Sequence, residues 1–364
     1  MRRTVACCWF LLAGLVGACG SAGGATPGPA VVASGHGRSQ IAIVRNASLV
    51  IFDVATGRQA VVHLPRRTLV AGASGLGWSP DGRRLVFSVA VGQSSKPYAH
   101  TLADLFVANA NGSGLRRITH LGAAGHPVWS PDGRTIVFAE LAYYSSPKNF
   151  FKTGSSALWR VNADGSQPQQ LTPQVPGRED MPGSYAPNGS RLAFTRYTGA
   201  FLPGRCCIES SSGDIDLMAT DGSITTLAKD GSDPAFSSNG QEIAFASDRD
   251  RTQSVPLGNG DDRAYLNDLY VMSADGKHAR RLTNTPMLNE GRPTWSPDNT
   301  RIAYDVSPYD AQVGGFFRDY VAIINADGTC QQKLTQARRT NYALPAWRPG
   351  RSRVGDGPLR CTRG

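Results

Sequence analysis

The stretch GWSPDGRRLVFS, Gly77–Ser88, joins a tryptophan, a Pro-Asp-Gly turn and a run of strand formers. In Trp-Ser-Pro-Asp-Gly, Pro80 presets φ for the first central turn position, Asp81 can bond the backbone, and Gly82 takes the left-handed position that closes a hairpin. The run Leu85-Val86-Phe87 that follows Arg84 is continuously apolar instead of alternating, which predicts a strand covered on both faces. The unit recurs as VWSPDGRTIVFAE from Val128, SYAPNGSRLAFTR from Ser184, AFSSNGQEIAFASDRD from Ala235, TWSPDNTRIAYDV from Thr294 and a truncated AWRPG from Ala346. Its aromatic anchors, Trp78, Trp129, Tyr185, Phe236, Trp295 and Trp347, are spaced by 51 to 59 residues. Such a period marks a repeat architecture in which each unit is one supersecondary element leaning on its neighbours.

A second turn signal follows in each complete unit: Asn111-Gly112, Asp164-Gly165, Asp221-Gly222, Asp275-Gly276 and Asp327-Gly328. Each is preceded by a strand pattern such as Asp268–Met272 and followed by one such as Arg281-Leu282-Thr283, so a unit carries four strands. Four-stranded antiparallel sheets stacked around an axis make a β-propeller. Five complete units run from Leu76 to Thr335. The N-terminal segment adds strands near Gln40–Val44, Ser48–Asp53 and Ala60–Leu64, and the anchor at Trp347 adds one more. The expectation is an all-β, six-bladed propeller over residues 38–350, its last blade closed by N- and C-terminal strands so that no edge stays open. A tail, residues 351–364, follows.

Composition agrees with a turn-rich β protein: of 364 residues 40% are hydrophobic, with 41 Gly and 23 Pro. The formal charge is +10, but the arginines are scattered and form no basic run, so no nucleic-acid partner is expected. Residues 1–18 read as a secretory signal, with Arg2 and Arg3 ahead of an apolar core from Ala6 to Val16 that is too short to span a bilayer. Its end, Val16-Gly17-Ala18-Cys19, resembles the bacterial lipobox, which implies lipidation of Cys19 and anchoring to the outside of the cell membrane. Residues 19–37, rich in Gly, Ala, Ser and Pro, read as a flexible tether.

Together, the Pro-x-Trp-Ser-Pro-Asp-Gly units, the Asp268-Leu269-Tyr270-Val271-Met272 strand leading to Asp275-Gly276, the Arg280-Arg281-Leu282-Thr283 stretch and Phe245–Asp250 resemble the WD-like propeller repeat of the TolB family. The resemblance covers about residues 38–350 and implies a six-bladed binding platform. The family's N-terminal α/β domain has no counterpart here, so TolB's own partners are not carried over. The repeat residues read as structural, and the Asp of Trp-Ser-Pro-Asp-Gly as a turn residue.

Function is expected where the long connections lie, on the face opposite the tight turns: residues 90–103, 141–156, 197–213, 248–266 and 307–318. They carry aromatics, among them Tyr143, Tyr144, Phe316 and Phe317, that suit partner binding. Aligned on the anchors, His126, Glu179, Asp180, Asp233, Glu290, Arg292 and Tyr342 are expected near the central mouth, a mixed ring suited to a peptide, a sugar or a cation. No His pair or Cys cluster has metal-ligand spacing, and no cofactor is expected. Cys330, just after a turn, and Cys361, beyond the strand leaving Trp347, are expected to pair; Cys206 and Cys207 read as a vicinal pair or as separate thiols.

No nucleophile elbow, His-Glu-x-x-His, Walker loop or Gly-x-Gly-x-x-Gly is present. The leading reading is a monomeric, noncatalytic, lipid-anchored extracytoplasmic propeller that binds an envelope protein, a peptide or a cell-wall glycan. Two alternatives stay open: a carbohydrate-active lyase or hydrolase using carboxylates at the central mouth, and a ligand-sensing or solute-capturing lipoprotein.

Overall fold

The computed structural model describes residues 39–66, 68–71, 75–93, 101–146, 149–198, 213–256, 263–312, 314–316, 318–335, 341–350 and 357–361. The signal, Cys19, the tether, Cys206 and Cys207, and Phe317 lie outside these residues, as do the side chains of Tyr143 and Tyr144. Among the described residues every helix or strand element is a strand.

Each repeat begins with the tryptophan strand and its turn. After Leu76–Trp78, the Ser79 hydroxyl donates to Asp81 Oδ1 at 2.5 Å and the Arg83 N–H donates to the same oxygen at 3.0 Å. The chain reverses and Arg84–Gln93 pairs antiparallel with Leu76–Trp78, then with Thr101–Asn109. Leu85, Val86 and Phe87 are all fully buried, as their uninterrupted apolar run predicts. The second turn places Gly112 at φ 88°, where a Cβ would strike the His63 carbonyl, and a two-residue strand, Arg116–Arg117, ends the sheet. The Thr119 hydroxyl accepts from Leu105 N–H at 2.9 Å and donates to the buried Asp104 at 2.8 Å, while Arg117 pairs with Asp104. Asp268, Leu269, Arg281 and Thr283 repeat this set, which gives the Arg-x-Thr pattern its structural meaning.

The sheet of the two chain ends has the order Tyr342–Trp347, Gln40–Arg45, Ser48–Asp53, Gln59–Val61, so the last strand pairs with the first. Other four-stranded sheets are separate hydrogen-bonded units, except across residues 124–281, where pairing is continuous. There Ser156 meets Glu179 in a single parallel bridge, and the strand Ile224–Phe236 serves two sheets, outermost in one and innermost in the next.

The innermost strands Leu76–Trp78, Ala124–Trp129, Arg178–Tyr185, 232–236, Leu288–Trp295 and Tyr342–Trp347 touch in that sequence, and the last touches the first. Anchor side chains stitch these contacts. The Trp295 indole donates to Ala235 O and the Trp78 indole to Ala346 O, both at 3.0 Å. The arginine six residues after an anchor lies over the next anchor's ring: Arg84 over Trp129 at 4.8 Å and Arg301 over Trp347 at 5.3 Å.

Candidate functional site: the central cavity and the extended hairpins

Three residues before each anchor the innermost strand reaches Gly75, His126, Pro182, Asp233, Arg292 or Leu344. At four of the six the backbone is left-handed in a non-glycine residue: φ is 53° at His126, 52° at Asp233, 49° at Arg292 and 59° at Leu344, and Gly75 shares the region at 96°. Pairing with the neighbouring strand slips here, between Gly125 and Val128, Ser232 and Ala235, and Gly291 and Thr294. These are β-bulges, which re-aim a side chain where the ladder would otherwise continue. The proline that follows His126, Asp233, Arg292 and Leu344 withholds a ladder donor and so helps to fix the bulge.

The bulges surround a central cavity of about 360 Å³, lined by prolines, the aromatic anchors, His126, Asp233 and Arg292. Asp233 Oδ2 accepts from the Arg292 backbone N–H at 3.2 Å, and Asp233 N–H donates to Thr195 Oγ1 at 3.0 Å. Gly291 eases this approach, since a Cβ there would sit 3.2 Å from Asp233 Oδ2 and press the carboxylate aside. The Arg292 guanidinium bonds Asp305 Oδ2 at 3.2 Å, and both Asp305 oxygens accept from Leu344 N–H, at 2.9 and 3.1 Å. Arg292 keeps 40% of its side-chain surface accessible although protein encloses it, so that surface faces the cavity.

Burial sets the protonation of this group. It pushes Asp305 up to about 7 against the pull of Arg292, and raises Glu179 and Asp319 above the ordinary carboxylate range. It drives His126 down to about 4, with Arg292 acting in the same direction, so the imidazole is neutral near pH 7. Tyr197, paired across from Glu179, is raised by burial and by the Asp233 charge. Sequence reasoning missed Tyr197 and Asp319, which lie outside the repeat motif, and Asp305, which lies within the quoted unit from Thr294 but was not singled out.

Four expected mouth residues do not line the cavity. Asp180 is fully buried and gripped by Arg196, Nε to Oδ1 at 2.8 Å and Nη2 to Oδ2 at 3.1 Å, with Asp216 on the same guanidinium at 2.8 Å. Glu290 is fully buried between two sheets, accepting from Gln331 Nε2 at 3.4 Å, and its Oε2 has no partner. Tyr342 is buried in the core with Ile41, Ile43 and Trp347. Each is enclosed by neighbours that anchor alignment cannot reveal. Glu179 does not line the cavity and sits beside Tyr197.

The described residues of the expected long loops are in large part strand. Thr135–Ser146 and Asn149–Asn162 form one extended hairpin, because Leu141-Ala142-Tyr143-Tyr144 continues the strand propensity of the blade. In the hairpin Ser254–Pro256 with Arg263–Tyr265, Val255 is fully buried and packs with Leu266, Tyr309 and Phe316. Phe316 meets Tyr309 edge to face at 5.4 Å, so hairpins of adjacent sheets are joined by an apolar contact. On the opposite side Cys330 and Cys361 are bonded, with Cα atoms 5.1 Å apart. Among the described residues no group of three His, Cys, Asp or Glu side chains is placed to hold a metal.

An uncharacterized protein of Agrobacterium fabrum strain C58 is 30% identical over 122 residues, 33% of this chain and 35% of that protein; the chain thus spans about a third of this curated relative. The crystal structure of TolB from Acinetobacter baumannii superposes with a TM-score of 0.57 at 18% identity, covering 85% of this chain and 66% of that one. A putative TolB from Agrobacterium tumefaciens gives 0.55 at 20% identity, covering 83% of this chain and 90% of that one. Residues 41–267, more than half of the sequence, match the TolB beta propeller domain, and the chain belongs to that family.

Proposed function

We propose that the protein is a noncatalytic, six-bladed binding platform, held outside the bacterial cell membrane by a lipid on Cys19, that engages an envelope protein through its extended hairpins. Six anchors, six innermost strands touching in a circle and the pairing of Tyr342–Trp347 with Gln40–Arg45 support the blade count. The observation that carries the binding role is the apolar junction of Val255, Leu266, Tyr309 and Phe316, which stiffens neighbouring hairpins into one raised surface. A partner meeting a stiff surface loses less ordering entropy than one meeting free loops. Asp180 is consumed by Arg196, and Glu290 is sealed between sheets, so neither is available as a surface acid or base.

The test is crosslinking in cells from positions on the hairpins, compared with positions beside Asp164-Gly165 and Asp275-Gly276. Capture of one envelope protein from the hairpin side alone is the expected result. Capture from the tight-turn side alone would overturn the assignment of the working face.

A further inference from the structure

We propose that the central cavity binds the head group of a free α-amino acid, Arg292 taking the carboxylate and Asp233 the ammonium, at a small-molecule site distinct from the partner-binding hairpins. Where a repeat position serves the fold, its residues are alike, as the six aromatic anchors are. Three residues earlier, at one geometric position, the chain places Gly, His, Pro, Asp, Arg and Leu. The backbone there is left-handed in five of the six, and Gly75 is the residue that such a backbone prefers. Left-handed non-glycine residues cost on the order of 1 kcal/mol each, and enclosing charged groups costs more. Asp233 and Arg292 carry both costs, and the neutral His126 the first, where glycine would remove them.

The hydrogen-bond inventory specifies the ligand. A guanidinium has five N–H donors, and among the described residues Arg292 uses its side chain only toward Asp305. Asp305, pinned by Leu344 N–H, fixes the plane of that guanidinium while its accessible surface faces the cavity. Asp233 spends one oxygen on the Arg292 backbone, and its other oxygen has no hydrogen bond among the described residues. Asp319 and Glu179 stand close behind, so carboxylates outnumber the single guanidinium. A simple anion would be repelled by those acids. A simple cation would leave the guanidinium donors dry. A zwitterion satisfies both, and a cavity of about 360 Å³ with aromatic and proline walls accommodates the side chain of an amino acid.

Calorimetric titration and thermal melting of the full protein would compare L-phenylalanine with its two halves, phenethylamine and 3-phenylpropionate, alongside L-alanine, L-lysine and L-glutamate. At least one amino acid should bind, and L-phenylalanine should exceed each of its halves by about tenfold or more, as expected for losing a hydrogen bond to a charged group. Arg292→Lys, which keeps the charge but loses the planar fork, and Asp233→Asn should each weaken binding several-fold. Should Arg292→Lys fail to fold, Asp233→Asn and the half-ligand comparison still decide. No heat and no melting shift with any of the amino acids, or equal affinity for a half-ligand, would overturn the proposal.

Discussion

At the level of single residues, chemistry that looks catalytic in the sequence divides by environment. Asp132 is a turn residue: the Ser130 hydroxyl and Arg134 N–H hold its carboxyl below the usual range. Asp180 and Asp216 share Arg196, and replacing that arginine by Met would leave buried Asp216 without its ion pair and Asp180 with only the longer 3.7 Å contact to Arg178. Arg196→Met is expected to destabilise by about 3–5 kcal/mol in denaturant titration. Glu290 is pushed up to about 8 by burial, from 4.5 in an unfolded chain. Its folded state therefore binds the extra proton between those values, and stability falls as pH rises through that window. Melting curves of Glu290→Gln should show a gain over the natural protein that widens from pH 4.5 to 8 and then levels off. A gain independent of pH would point to packing instead of ionisation. None of these pairings was legible in the sequence, because Arg196 lies 16 residues from Asp180 and Gln331 lies 41 from Glu290. The turn chemistry was legible, because it acts within five residues.

At the level of elements, periodicity gave the hairpins and their order, since each Pro-Asp-Gly or Asp-Gly turn carries its own geometric instruction. It did not give the hairpin extensions, where Asn149–Asn162 continues as strand through residues that read equally well as a loop. Nor could it show the bulges, which are slips in the pairing of an innermost strand with the next strand of its own sheet. The strand Tyr342–Trp347 illustrates what the sequence did carry: a lone anchor without the rest of its unit pointed to the N-terminus for completion, and it pairs with Gln40–Arg45. Deleting the chain from Leu344 onward removes the acceptor of the Trp78 indole and exposes the Gln40–Arg45 edge. Loss of a cooperative melting transition is the expected outcome; a truncated chain that melts like the intact one would mean that the other contacts suffice.

At the level of the whole molecule, the proposed lipid on Cys19 would secure one end of the chain. Cys19→Ala is then expected to move the protein from the membrane to the soluble fraction, because a two-chain lipid is enough for stable attachment. At the other end, the Cys330–Cys361 bond closes a 31-residue separation, and Leu359 is held by Asn325, its N–H donating at 2.6 Å. Cys361→Ser should lower stability by at most about 4 kcal/mol and make the tail accessible to protease before the propeller melts. The strand Ile224–Phe236 has a mechanical consequence at this scale. It passes from the outer position of one sheet to the innermost position of the next as one continuous strand, bent where Asp230 and Asp233 are left-handed. The two sheets share that backbone, so a displacement of one is carried directly into the other. A partner pressing on the hairpin 254–265 would then transmit its load to residues 178–219, on the far side of the shared strand.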